Sequence, residues 1–361
     1  MVSEESRALV HRYRNGIRRK YTFYFIAVAL IALMSVYSLS ISKVDITLVQ
    51  SMEIIWNHLT GNLPVRSEDY VGWWIDQIVV NDNAPRTIAG ICVGAILAVC
   101  GTIMQSVTRN PLTDPYTIGI SSAALLGVTI SVVYGASVIP FFGDDVSKIV
   151  NAFVFALIPS FAIVFVSTFK RTSSIMMILI GIALMYVFSA ITTFIKFNAD
   201  PEEIEEIYEW SLGTLSSVDW MGVYLLIVAA IFIFVAMMCL SNRINVLGTG
   251  DNPAISLGEN PVKVKIMCFV IISIATAISV CYTGTIGFVG LVGPHLARLL
   301  VGNNNKLLIP LSFVIGALMV VGADCIVRSL PNVLPVGVIT ALIGSPIFLY
   351  FLYRQRKGYV W

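Results

Sequence analysis

Apolar and polar residues in this chain alternate on the scale of whole helices. Crossing a bilayer takes about 20 mostly apolar residues, and the pattern predicts such spans near 22–41, 88–108, 149–169, 174–196, 220–240, 264–283 and 306–328. Three weaker ones, at 116–134, 286–302 and 335–353, are interrupted by Gly, Pro or polar residues. The expectation is an all-α, polytopic membrane protein of about ten transmembrane helices, several of them short or broken. It comprises a polar N-terminal segment 1–21, one transmembrane domain 22–353 and a polar tail 354–361. Two polar connections are long. Segment 42–87 holds an amphipathic run from Ile46 to Leu59 and the pair Trp73-Trp74, suited to a membrane interface. Segment 241–265, punctuated by Gly, Pro and Asn, has room for one or two short helices and suits the docking of a soluble partner.

The most telling stretch is Gly101 to Ala124, GTIMQSVTRNPLTDPYTIGISSAA. The helix entering it ends at Arg109-Asn110, meets Pro111 and Pro115 with Asp114 between them, and restarts through Gly119 and Ser121-Ser122. Proline lacks an amide donor and pushes the residue before it out of helical geometry. Broken backbone at membrane depth survives only when buried in protein or facing a watery cavity, so this stretch marks a conduit and not an anchor.

An even number of spans places both termini on one side, and lysine and arginine choose which. With the termini in the cytoplasm, 17 of the 23 basic residues fall in inner segments; Lys43, Arg66, Arg86, Lys148, Lys196 and Arg328 are left outside. The segment from Asn198 to Trp220 then lies outside. Asp200 is placed as an N-cap, Pro201 at the first helical position, and Glu202, Glu203, Glu205, Glu206 and Glu209 make a short acidic helix. No small-residue cleavage site follows the first apolar run, so that run is read as a retained span.

Composition narrows the function classes. The chain is 57% hydrophobic, 12% charged and has a mean hydropathy of +0.85, outside the range of soluble domains. A net charge of +2 gives no reason to expect nucleic acid. The six cysteines form no CxxC pair and read as small apolar residues. No GxxxxGK[ST] loop, HExxH or GxSxG occurs, so nucleotide hydrolysis by a phosphate loop and the common hydrolytic chemistries are not expected of this chain. His295 reads as a packed or capping residue. Asp324 is the one acid clearly inside a span, with Arg328 four residues on as a natural partner. Gly90, Gly94 and Ala98, and Gly284, Gly287, Gly290 and Gly293, form rows that let helix backbones approach; the second row also weakens its helix. An ion-coupled secondary transporter would want several intramembrane acids or two related halves with unwound helices; one acid and no clear repeat argue against it.

Several motifs recur in an order that resembles one family. These are Pro85-Arg86-Thr87, Asn110-Pro111-Leu112, Gly119 to Ala123, Trp210 with Gly213, Asp219-Trp220 and Leu257-Gly258. The strongest is Gly284-x-Ile286-Gly287-Phe288-Val289-Gly290-Leu291-x-x-Pro294-His295-x-x-Arg298. After it come Ala323-Asp324-x-x-x-Arg328, Leu334 to Thr340 and Gly344-x-Pro346. From about Pro85 to Arg354 the chain resembles the permease subunits of ATP-binding-cassette importers for iron–siderophore complexes, haem and cobalamin, the FecCD family.

The resemblance implies a prokaryotic cell-membrane protein that pairs with a second permease subunit, here read as a homodimer, with the path along their interface. Two cytoplasmic ATPase subunits and an extracytoplasmic solute-binding protein are the implied partners. ATP and Mg belong to the ATPase, and no cofactor is expected on this chain. By the same resemblance a cytoplasmic gate falls on Asn110 and Leu112 and on Thr172, Ser173 and Ser174. The ATPase-coupling loop falls on Leu247, Gly248, Leu257, Gly258, Asn260 and Pro261. Arg86 and Arg328 match outer arginines that pair with glutamates of the binding protein; where a further arginine is typical, this chain has Asn83. The implied cargo is an iron–siderophore complex, with cobalamin or haem as the alternative.

Overall fold

The computed structural model describes residues 4–61, 64, 67, 69–139, 143–169, 173–331 and 334–355, and among them there is no β-strand. The first span lies in a long helix, α1 (Glu4–Ser40). Next come α2 (Leu48–Thr60), opened by a capping box between Thr47 and Gln50, and α3 (Tyr70–Gln77), capped by Asp69. A π-helical turn, Ile78–Asn83, joins α3 to α4 (Ala84–Thr108). The helix thus begins at Tyr70, well inside the expected outer segment 42–87. The wide π turn immediately precedes Pro85, whose ring and missing N–H disfavour a regular α-helical register there.

The break falls where expected. Arg109 ends α4 in the left-handed region (φ 52°), a 3₁₀ turn covers Pro115–Ile118, and Gly119 (φ 90°) leads into α5 (Ile120–Tyr134). Its backbone and hydroxyl groups are satisfied locally, as buried chain requires. Asn110 N–H reaches Gln105 O at 3.2 Å, Leu112 N–H reaches Asn110 Oδ1 at 3.0 Å, and Thr117 N–H reaches Asp114 Oδ1 at 2.9 Å. Thr108 and Thr113 share a hydrogen bond of 2.8 Å.

The remaining helices are α6 (Asp144–Phe169), α7 (Ser174–Lys196), α8 (Pro201–Ser211), α9 (Trp220–Gly248), α10 (Asp251–Ser256), α11 (Pro261–Thr283), α12 (Val289–Val301), α13 (Asn305–Ser329) and α14 (Val336–Gln355). Among the described residues, eight helices are long and apolar enough to cross a membrane by length and composition; α5 and α12 are shorter. The expected acidic outer helix is α8, with Asp200 and Glu203 forming its capping box. α9 runs eight residues beyond the expected span, because the polar stretch Ser241–Gly248 keeps helical geometry after the apolar surface has ended. Segment 241–265 is therefore mostly helical, with α10 its one short helix. The glycine row 284–293 splits: residues 284–288 are non-helical, and Phe288 enters α12 in the left-handed region (φ 66°).

The helix α4 is the axis of the molecule. In the most apolar window of the 70–108 stretch, 89% of residues are buried, against 11% for α1 and 22% for α7. Helices α9, α11, α12 and α13 surround it. A β-carbon built on Gly94 would stand 2.2 Å from the carbonyl oxygen of Gly316 in α13, and one on Gly101 would stand 1.9 Å from that of Gly290 in α12. At these two crossings backbone rests on backbone.

Gly94→Ala is accordingly expected to destabilise the detergent-solubilised protein by about 1–3 kcal/mol, while Gly248→Ala, with open space around its β-carbon, leaves the melting temperature unchanged or slightly raised. Equal melting temperatures for the two variants would contradict the close-contact account.

Candidate functional site

Two polar clusters lie at opposite ends of α4. At its C-terminal end, Arg109 opens the broken segment, and its Nη2 donates to Asp251 Oδ1 at 3.0 Å. Asp251 is the first residue of α10. Its two carboxylate oxygens also accept from Lys265 Nζ in α11, at 2.9 and 2.8 Å. Lys265 is 1% exposed, so its charge depends on this carboxylate. One acid thereby joins the broken segment, α10 and α11.

Beside it, asparagines connect α9, α13 and α4. Asn245 Oδ1 accepts from both the backbone N–H and the side chain of Asn305 at 2.9 Å, and Ser106 donates to Asn305 Oδ1 at 3.1 Å. Arg298 Nη1 donates to Gln105 Oε1 at 3.2 Å. Together these groups line a polar cleft of about 300 Å³.

The residues expected to form a gate and a coupling loop are distributed over this end. Asn110 holds the turn through its bond to Leu112 N–H, and the Leu112 side chain is half exposed. Ser173 caps α7 by accepting from Met176 N–H at 3.3 Å, and Ser174 is buried; Thr172 lies outside the described residues. Leu247 is buried at the end of α9, with Gly248 exposed after it, while Leu257 projects into solvent after α10. Gly258 (φ 84°) turns the chain back, Asn260 caps α11 through Lys263 N–H at 3.1 Å, and Pro261 is its first residue. The Arg109 loop and the 249–261 hairpin are brought together through Asp251, a residue not singled out from the sequence. The available signal was Lys265: a lysine inside an apolar helix calls for a partner.

At the other end of α4, Asp324 of α13 is shared by two arginines. Arg86 Nε donates to Oδ1 at 2.7 Å. Arg328 Nε lies 2.9 Å from Oδ2, an ion pair without hydrogen-bond geometry. The three side chains are 14%, 8% and 2% exposed for Arg86, Arg328 and Asp324. Arg328 also donates to Ile41 O at 3.3 Å, to Asn83 Oδ1 at 3.0 Å and to Ser38 Oγ, and Ser38 shares a bond of 2.7 Å with Thr87. One carboxylate and several neutral acceptors thus hold two cations where α1, α4 and α13 converge. The local Asp324–Arg328 pair is the one expected from the sequence; Arg86 joins it from 238 residues away.

Comparison with known proteins shows what the chain is similar to. The model of the FecCD transport family matches residues 29–354. A probable iron chelatin transport system permease protein of Helicobacter pylori is 34% identical over 92% of this chain and 98% of its own length. The molybdate import system permease protein MolB of Haemophilus influenzae is 31% identical over 91% of this chain and 94% of its own. Among solved structures, a metal-chelate type ABC transporter in an inward-facing conformation superposes with a TM-score of 0.79 at 27% identity, covering 92% of this chain and 99% of that one.

Removing Asp324 leaves two buried guanidinium groups without their carboxylate. Asp324→Asn is expected to cost about 3–5 kcal/mol, and Arg86→Gln clearly less, since Arg328 keeps its partner. Thermal unfolding in detergent checks the order; a reversed order would mean that Asp324 is not the common counter-charge.

Proposed function

The chain belongs to the FecCD transport family and is a permease subunit of an ATP-binding-cassette importer, and on that premise we propose that it carries an iron–siderophore complex inward. Two copies form the path between them, with both termini in the cytoplasm of a prokaryotic cell. Two ATPase subunits, which bind ATP and Mg, grip the 247–261 hairpin, and a solute-binding protein docks on the opposite face. Support for the cargo comes from the relative named for iron chelatin; the relative named for molybdate shows that the family's range is wider.

The observation that carries the mechanism is the Arg109–Asp251–Lys265 link. Closure of the ATPases moves α10, and with it Asp251, whose bond to Arg109 sits at the hinge of the broken segment. The gate formed by Asn110 and Leu112 with Thr172, Ser173 and Ser174 then changes its opening. Leverage of this kind needs an element with two arrangements biased by the partner, and the irregular stretch 109–119 supplies one. Asp324, fixed between two arginines, acts as a structural charge and not as a proton or sodium relay. Arg86 and Arg328, buried against it, would meet glutamates of a binding protein only after that cluster opened.

In liposomes carrying the permease with its ATPase, a binding protein loaded with ferric siderophore is expected to stimulate ATP hydrolysis and iron uptake, and the same assay with cobalamin or haem is expected to give neither. Uptake of cobalamin or haem in place of iron would replace the cargo assignment. Arg109→Gln, which leaves the buried Lys265–Asp251 pair intact, is expected to lower uptake per ATP hydrolysed by about three- to thirtyfold. An unchanged ratio would remove this link from the mechanism.

A further inference from the structure

The polar cleft at the C-terminal end of α4 concentrates positive charge. The helices that enclose it, α4, α9, α12 and α13, carry one acid between them, Asp324, and it lies near the far end of α13. At the cleft end the same helices carry Arg243, Arg298 and Lys306, and Arg109 follows directly on α4. Arg109 and Arg298 line the cleft itself; its other described lining residues are neutral, Asn303 and Asn305 among them.

The acids of the adjoining hairpin leave that charge in excess. Asp251 accepts from Lys265 through both oxygens and from Arg109 through one, so a single carboxylate faces two cations. Glu259 lies 3.6 Å from Arg243. The Arg109 guanidinium makes no other hydrogen bond among the described residues, although such a group carries several N–H donors. Its side chain is 42% exposed, so those donors are open to a ligand. Arg298 is buried and donates to the neutral side chain of Gln105. Helix α13 begins at Asn305 in the cleft wall, and the N-terminal end of this 25-residue helix adds partial positive charge.

A volume of about 300 Å³ is at the small end for ligand pockets, which suits an anionic group of few atoms. Guanidinium groups present their donors as a planar fork that matches phosphate oxygens in pairs. We propose that the cleft binds a phosphate-class oxyanion between Arg109 and Arg298. Inorganic phosphate and the phosphodiester headgroup of an anionic phospholipid present this same chemistry. The bound anion joins the broken segment, through Arg109, to α12, through Arg298. The inference stands on the charge and shape of the cleft and goes beyond the importer reading, which assigns Arg109 to Asp251 alone.

The test uses the full-length permease alone in phosphatidylcholine nanodiscs, since the phosphate loop of an ATPase would itself take phosphate. Binding of radiolabelled inorganic phosphate is measured at constant ionic strength in chloride, and retention of phosphatidylglycerol against phosphatidylcholine is measured by native mass spectrometry. Saturable phosphate binding, or preferential retention of phosphatidylglycerol, is expected, and the tighter of the two identifies the source. Asn303→Asp sets a carboxylate at an exposed position of the cleft and is expected to weaken binding about tenfold with the melting temperature unchanged. Arg109→Gln and Arg298→Gln are each expected to weaken it by about tenfold or more. Because Asn303 is exposed, its variant keeps the test valid if Arg298→Gln does not fold. No phosphate binding in chloride together with no preference for phosphatidylglycerol would overturn the proposal, as would binding that Asn303→Asp and Arg109→Gln leave unchanged. Binding lost in Arg109→Gln while uptake per ATP stays unchanged would keep this site and remove the Arg109–Asp251 mechanism. Lowered uptake in that variant without any anion binding by the unmodified chain would remove this inference alone.

Discussion

The rest of the structure depends on two places where helix backbones touch. In a bilayer, lipid tails compete with side chains for apolar contact, so close packing and polar contacts must hold helices together. Gly94 against Gly316 and Gly101 against Gly290 bring α13 and α12 onto α4 at the shortest possible distance. Polar bonds then form on either side of the α4–α13 crossing: Thr102 to Ser312 at 2.8 Å and Ser106 to Asn305 at one end, Arg86 to Asp324 at the other. The α4–α12 crossing also seats the broken segment, because Gly290 stands beside Pro115 and Asp114. One geometric constraint therefore positions both the charged cluster at one end and the irregular turn near the other.

At each end of α4 one carboxylate neutralises two cations. Asp324 satisfies two arginines, and Asp251 satisfies Lys265 and Arg109. Neither arrangement resembles a solute site, since each carboxylate is already engaged by two cations. On the proposed function, a weakly polar passage between such fixed ends suits a large cargo delivered by a partner, because a tight site along the path would hold what it must release. Energy must then arrive from outside the passage, and the Asp251 hairpin is the surface feature connected to the break.

How much of this was legible in the sequence varies by physical cause. The spans were legible because the bilayer imposes a length and a polarity on each of them. The Asp324–Arg328 pair was legible because four residues make one helical turn; Arg86 was not, because its contact spans the whole topology. The end of α9 was missed because loss of apolar surface marks the edge of the membrane and not the end of a helix. The left-handed turn at Gly119 could be read from its glycine, whereas those at Arg109 and Phe288 could not, since nothing in those side chains asks for it. The site was legible as a region and not as contacts: Asn110 and Leu257-Gly258 were identified by motif, Asp251 by nothing local.

Those two non-glycine residues show where backbone strain concentrates. A left-handed conformation costs an ordinary residue about 1–2 kcal/mol, and it persists only where surroundings impose it. Arg109 closes α4 at one break and Phe288 opens α12 at the other. The breaks are joined: Tyr116 Oη donates to Ile286 O at 3.3 Å, and Pro115 packs on Gly290. Helices α4 and α13 are locked by backbone contact and cannot bend there without losing it. Segments 109–119 and 284–288 already hold strained residues, and each is braced in its turn by a glycine contact, Gly181 against Ile118 and Gly284 against Trp210. Because the two touch, a displacement imposed at Arg109 through Asp251, as the proposed mechanism has it, would reach Ile286 and the start of α12. An irregular joint of this kind, built between helices packed backbone to backbone, lies where the two prolines break a membrane helix, the stretch whose sequence marks a conduit.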